Sequence, residues 1–167
     1  MAGKISRLMN HLGTGAGVVH RWFDRDAMKR IAEAIAAAER GHAGEIRFAV
    51  EAALSLRKLR QHRNARSRAL DMFSQLRVWD TEANTGVLLY LLWADHGIEI
   101  VADRGIAALV PASEWETVCA QVRDGMRSGN PVDAVIAGIT RIGELLRAAL
   151  PARESTPDEL PDDPVLL

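Results

Sequence analysis

The sequence predicts an α/β protein, a small mixed β-sheet sandwiched by helices. Three observations carry this. Residues 44–52 (GEIRFAVEA) alternate strictly, with Ile46, Phe48 and Val50 on one side and Glu45, Arg47 and Glu51 on the other. That is the pattern of a strand with one strongly buried face. Residues 86–94 (GVLLYLLWA) are apolar on both sides and too short for most helices, which marks a central strand. After a turn at Asp95-His96-Gly97, residues 98–103 (IEIVAD) return as its antiparallel partner.

The remaining elements follow in chain order. Residues 1–23 read as irregular or weakly helical, because glycines and polar residues break up the apolar positions. Asp24 or Asp26 can cap a first helix, in which Met28, Ile31, Ala32, Ile35 and Ala38 recur at helical spacing until Gly41 stops it. Residues 63–77 form a second helix, with Ala65, Ala69, Met72, Phe73 and Leu76 inward. Val110-Pro111 opens a third, in which Ser113 and Glu116 make a capping-box pattern and Trp115, Val118, Cys119, Val122 and Met126 form the stripe. Gly129-Asn130-Pro131 breaks it and starts a fourth, with Val135, Ile136, Ile139, Ile142 and Leu146 inward, up to Pro151. The closing stretch, ARESTPDELPDDPVLL, is rich in proline and acids and is expected to be poorly ordered. The chain thus divides into an N-terminal segment (1–23), an α/β domain (24–151) and a tail (152–167).

With 167 residues, 48% of them apolar and 26% charged, the composition is that of one ordinary globular domain. A net charge of −1 disfavours a general nucleic-acid binder. The single cysteine, Cys119, excludes an internal disulfide and any zinc site built from several cysteines. There is no transmembrane run, and no unbroken apolar centre of a signal peptide near the start, so a cytoplasmic chain is expected.

Topology places carboxylates before any chemistry is assumed. If strands 44–52 and 86–94 run parallel, their starts share one sheet edge, and the hairpin returns residue 103 to that edge. Counting from the turn, Asp103 falls near Leu88, so Asp103-Arg104-Gly105 lies beside the Asp80–Asn84 loop, and Glu45 opens the first strand there. Hard cations such as calcium or magnesium take several oxygens from a flexible loop, and Asp80, Glu82, Asn84 and Asp103 offer them. The calcium-loop pattern is incomplete, lacking the mid-loop glycine and the closing glutamate. The plainer alternative makes Asp80 and Asn84 turn residues and Asp103 the partner of Arg104 or of a helix end.

The first strand's carboxyl end leads instead to LRKLRQHRNARSR, where Arg57, Lys58, Arg60, Arg63, Arg66 and Arg68 occur without an acid. Such a run can bind phosphate, an anionic lipid surface or nucleic acid, or can simply be a solvated face. No aromatic residue is interleaved for base stacking. Gly13-Thr14-Gly15-Ala16-Gly17 lacks the preceding strand and the Lys-Ser/Thr ending of a phosphate loop. His96 reads as an exposed turn residue and Cys119 as a buried core thiol. Ser67 and Ser74 have no nucleophile-elbow context, and no catalytic triad can be drawn.

The segments GEIRFAVEA (44–52), FSQLRVWDTEANTGVLLYLL (73–92) and IEIVADRGI (98–106) resemble the TPM domain, in the bacterial branch that carries the VADRGI signature. Trp115, Ala137-Gly138-Ile139 and the closing ELPDDPVLL fit it too. The resemblance implies an α/β/α sandwich and, for some relatives, divalent-metal binding and weak acid phosphatase activity. A plant thylakoid relative is linked to photosystem repair, and many bacterial relatives are membrane-tethered. This chain departs from them in lacking the signal peptide and the transmembrane segment with its glycine-rich tail. The first expectation is therefore a non-catalytic module that binds an unidentified protein partner and is steadied by a divalent cation. The alternative is a metal-assisted acid phosphatase in which Arg104 stabilises phosphate charge. A third reading uses the 57–68 stretch, with Arg57, Lys58, Arg60 and Arg63, to bind an anionic membrane or nucleic acid. The residues leave open whether the protein is an enzyme.

Overall fold

The computed structural model describes residues 2–60, 64–152 and 158–167. In order, its elements are α1 (Ala2–Gly13), α2 (Ala16–Trp22), α3 (Arg25–Ala38), β1 (Glu45–Glu51), α4 (Leu56–Arg60), α5 (Ala65–Gln75) and β2 (Gly86–Leu92). A 3-10 turn at Trp93–Asp95 leads to β3 (Gly97–Ala102), then α6 (Arg104–Ala107), α7 (Ala112–Arg127), α8 (Pro131–Ala149) and β4 (Val165–Leu166).

A strand that is apolar on both sides must be covered on both sides, and the sheet is ordered to do that. Its order is β3-β2-β1-β4, with β2 parallel to β1 and antiparallel to β3. One layer, made of α3, α7 and α8, covers Ile46, Phe48, Val50, Val87, Leu89 and Leu91 with Ile31, Ile35, Val118, Val122, Ile139 and Leu146. On the other side α5 supplies Ala65, Ala69 and Met72 against Ala49, Leu88, Tyr90 and Val101, and Leu160 of the tail joins them. Each fully buried Leu, Ile or Phe contributes about 1.5–3 kcal/mol. The result is an α/β/α sandwich. Gly86 is needed where β2 begins, because a Cβ there would run into the Val78 carbonyl oxygen.

Asp24 caps α3 as expected, its carboxylate accepting from Ala27 N–H at 2.8 Å, and Gly41 leaves the helix at φ 89°. Residues 2–22, expected to be irregular or weakly helical, form two helices. Four expectations are corrected. The charged side of β1 is buried too: Glu45, Arg47 and Glu51 are 4%, 6% and 6% exposed. Ser113 lies inside α7, whose N-cap is Pro111 without a side-chain cap, so the expected capping box does not form. The end of the tail is ordered, because Val165 and Leu166 pair in parallel with Ala49 and Val50 and add a fourth strand. Asp103 also sits two positions from its expected place, donating its N–H to the Gly86 carbonyl rather than lying beside Leu88. Among the described residues, no helix is long and apolar enough to cross a membrane.

Candidate functional site at the carboxylate edge

Parallel pairing of β1 and β2 aligns Glu45 with Gly86, and the hairpin sets Ala102 against Val87, so all three strands meet at one edge. The loop before β2 is built locally. Thr81 Oγ1 accepts from Thr85 N–H at 3.0 Å, and Asn84 takes a left-handed conformation at φ 55°, which its short polar side chain tolerates. Gly105 N–H donates to the Asn84 carbonyl at 3.0 Å, and a Cβ on Gly105 would collide with that backbone.

The structure brings Asn84, Asp103 and Arg104 together. Asn84 Oδ1 accepts from Arg104 Nε at 3.0 Å, while Asp103 Oδ1 caps α6 through Arg104 N–H at 2.7 Å. The second oxygen of Asp103 is buried without a protein partner. Asp80 is exposed and paired with Arg77 at 2.5 Å. Glu82 is exposed, and its backbone N–H donates to Glu159 Oε2 at 2.7 Å.

That last bond introduces residues that sequence reasoning missed. Among the described residues, Glu39, Asp158 and Asp162 have carboxylate oxygens that all lie within 4.8 Å of one another. Glu39 stands at the end of α3, and its Oε1 accepts from Ile46 N–H at 2.6 Å. Glu45 Oε2 accepts from Leu160 N–H at 3.2 Å, which ties the tail to the start of β1. Arg47, buried on the same side of β1, feels Asp163, Asp162, Glu39 and Asp158, yet its Nε and Nη1 have no hydrogen-bond partner.

The electrostatics follow from this crowding. Burial pushes the Glu39 carboxyl up to about 9, against the bond from Ile46, and Glu45 and Asp162 push it further. Burial also raises Glu45 to about 7, with Asp158 and Glu159 adding to the effect of burial. Asp162 is raised by burial, and its Oδ1 is buried without a partner. The signal available in the sequence was the acidic ELPDD stretch, which composition alone assigns to a disordered tail.

The expected anion-binding residues are scattered. Arg57 is exposed, whereas Lys58 Nζ pairs with buried Glu51 at 3.1 Å and Arg68 Nε with the same carboxylate at 2.6 Å. Arg60 contributes backbone to α4, and Arg63 lies outside the described residues. Arg104 stands at the opposite end of the sheet, on the carboxylate edge. His96 is exposed in its turn, and Cys119 is half-buried, its thiol pushed up to about 11 by burial.

A profile of the TPM domain matches residues 20–145. The chain belongs to the TPM domain family. Among solved structures, it is similar to the BA42 protein from the psychrophilic bacterium Bizionia argentinensis, with 28% identity and a TM-score of 0.75. The match covers 85% of this chain and 93% of that one. No curated protein matches. In this TPM domain, residues 158–167 beyond the matched range supply four of the acids at the edge, Asp158, Glu159, Asp162 and Asp163, and the fourth strand.

Proposed function

We propose that this TPM domain is a non-catalytic interaction module whose carboxylate edge takes a divalent cation. One observation carries the reading: the oxygens of Glu39, Asp158 and Asp162 meet within 4.8 Å, drawn from α3 and from the end of the chain. All-oxygen donors suit calcium or magnesium. The buried, unpartnered Oδ1 of Asp162 fits a ligand oxygen awaiting its ion. Glu39, raised to about 9, holds a proton that a cation would displace. Such an ion would join the tail to α3 and β1, steadying the surface that a partner meets. Support for a non-catalytic role comes from the hydroxyls of this edge, since Thr81 and Thr85 are buried and bonded to backbone groups.

Calorimetry with calcium and with magnesium tests this. Wild type is expected to bind, and Glu39→Gln/Asp162→Asn to lose binding. If Asp80→Asn/Asp103→Asn abolishes binding while the first pair does not, the ion belongs to the loop set expected from the sequence. No binding by wild type sinks the proposal.

A second reading, metal-assisted phosphomonoester hydrolysis, is favoured by the exposed Arg104 guanidinium, which Asn84 holds at the same edge. It requires phosphatase activity that chelator removes and that Arg104→Gln lowers.

A further inference from the structure

A cleft of about 460 Å³ lies between α7 and the edge strand β3, and Arg66 of α5 also lines it. Glu116, Cys119 and Arg123 stand at helical spacing on one side of α7, and the buried Ile98 and Ile100 of β3 give the cleft an apolar wall. Part of the lining is already satisfied. Arg66 Nη1 donates to the Ile100 carbonyl at 2.5 Å and lies 3.7 Å from Glu99. The Cys119 thiol meets the Ile100 N–H, and burial pushes it up to about 11, so it stays neutral near pH 7.

Three groups of the lining are left over. Trp115 is 9% exposed, and its indole N–H is buried without an acceptor, which is destabilising unless something accepts from it. Among the described residues, the side chains of Glu116 and Arg123 form no hydrogen bond and no ion pair, although Arg123 feels the charge of Glu99. Two turns of α7 separate them, about 10 Å along the helix axis, with Cys119 between. That order of charges selects the ligand. A simple anion would leave Glu116 unanswered, and a simple cation would leave Arg123. A zwitterion with its ends about 10 Å apart answers both, and three extended residues at about 3.3–3.6 Å each have that span. A peptide also carries a carbonyl next to its amine, where the N–H of Trp115, the neighbour of Glu116, lacks an acceptor.

We propose that this cleft is a binding site for short apolar peptides with free termini, about three residues long. The peptide amine pairs with Glu116, its carboxylate with Arg123, and its first carbonyl accepts from Trp115 Nε1. Ile98 and Ile100 take the middle side chain. None of the carboxylates in the cation reading takes part, so either proposal stands without the other.

Titration of the whole protein with millimolar tripeptides Ala-Xaa-Ala, with Xaa being Ala, Val, Leu or Phe, tests it by nuclear magnetic resonance. At low salt, binding is expected to shift the assigned Trp115 indole N–H signal and to weaken as salt rises. Acetylating the amine or amidating the carboxylate should each weaken binding roughly tenfold or more. Glu116→Gln and Arg123→Gln should do the same while keeping the wild-type thermal midpoint. An ω-aminooctanoic acid probe, similar in span but without a carbonyl beside its amine, should bind more weakly and leave the indole signal in place. Three results would overturn the proposal. One is an indole signal that no tripeptide moves. Another is undiminished binding of the capped peptides, or of the free ones by the two variants. The third is equal binding of ω-aminooctanoic acid, which would leave the peptide carbonyl without a role.

Discussion

Glu45 and Glu51 stand on the same side of β1, at its two ends and both buried, yet their carboxyls are pushed in opposite directions. Burial opposes charge on Glu51, but Arg68, Tyr90 and Lys58, at 2.6, 2.7 and 3.1 Å, outweigh it and hold the carboxyl below its usual range. Burial opposes charge on Glu45 too, and there the backbone N–H groups of Leu160 and Glu159 do not outweigh it, while the charges of Asp158 and Glu159 add to it, so the carboxyl rises to about 7. The partners decide, and they come from elsewhere in the chain. At one end α4 and α5 deliver cations that complete a structural ion network. At the other the tail delivers more acid, leaving an incomplete site.

The sharpest way to break this comparison is to remove one carboxylate from each end. Glu51→Ala leaves Arg68 buried and unpaired and should cost about 3–5 kcal/mol in denaturant unfolding. At pH 8 in chelator, Glu39→Gln should stabilise the fold or leave it unchanged. Equal losses from both would erase the distinction.

The two ends should also answer pH with opposite sign. Glu39 and Glu45 bind their protons more tightly folded, at about 9 and about 7, than their ordinary 4.5. Their contribution is therefore full below the ordinary value and is lost as pH rises through the folded values. Glu51, lowered, contributes above the ordinary value and loses its share as pH falls through its folded value. In chelator, stability should decline by a few kcal/mol from about pH 5 to about pH 9, and Glu39→Gln should flatten that limb. A flat wild-type profile would contradict the crowding of the acids.

Calcium should sharpen the contrast by acting at one end only. At a hundredfold excess over Kd it should add about 2.7 kcal/mol to wild-type stability, and nothing to Glu39→Gln/Asp162→Asn. Binding should release protons, so affinity should rise with pH. Calorimetry in two buffers of different ionisation heat measures that release, and none would move the ion away from Glu39. The smallest effect is expected at the anchor of α1, where Arg7 Nη2 and His11 Nε2 reach Asp95 at 2.7 and 2.9 Å. Asp95→Asn keeps the shape but loses the charge that Arg7 and His11 meet, which should cost about 1–2 kcal/mol. Amide exchange should speed up over residues 2–13 and remain unchanged over β2.

The parts of the fold that were legible in the sequence are those set by local periodicity. GVLLYLLWA reads as a doubly covered strand because neither side of it offers a polar residue, and the structure puts it between two neighbours. Hairpin arithmetic brought Asp103 to the Asp80–Asn84 loop, missing its register by two because the chain reverses over Trp93–His96 instead of Asp95–Gly97. The second buried side of β1 was illegible. Glu45, Arg47 and Glu51 alternate as a solvent-facing row would, and what buries them arrives from α5 and from the tail. The tail misled for the same reason: PDDPVLL has the composition of a disordered end, and pairing with β1, a non-local event, orders it. At the edge, the loop residues and Asp103 could be placed from topology, whereas Glu39, Asp158 and Asp162 meet only after the tail folds back.

The network around Glu51 also settles a question that β2 cannot answer for itself, namely how far β1 slides along it. A row as uniform as Leu88-Leu89-Tyr90-Leu91-Leu92 offers nearly the same apolar surface at every offset. A slip of one residue would turn Glu45, Arg47 and Glu51 into the apolar layer under α3 and α8. A slip of two keeps the sides but carries Glu51 about 6–7 Å from the Tyr90 hydroxyl and from Arg68, stranding buried charge. Only one alignment satisfies all of these groups, so the ion network works as a vernier that locks the two strands in a single register.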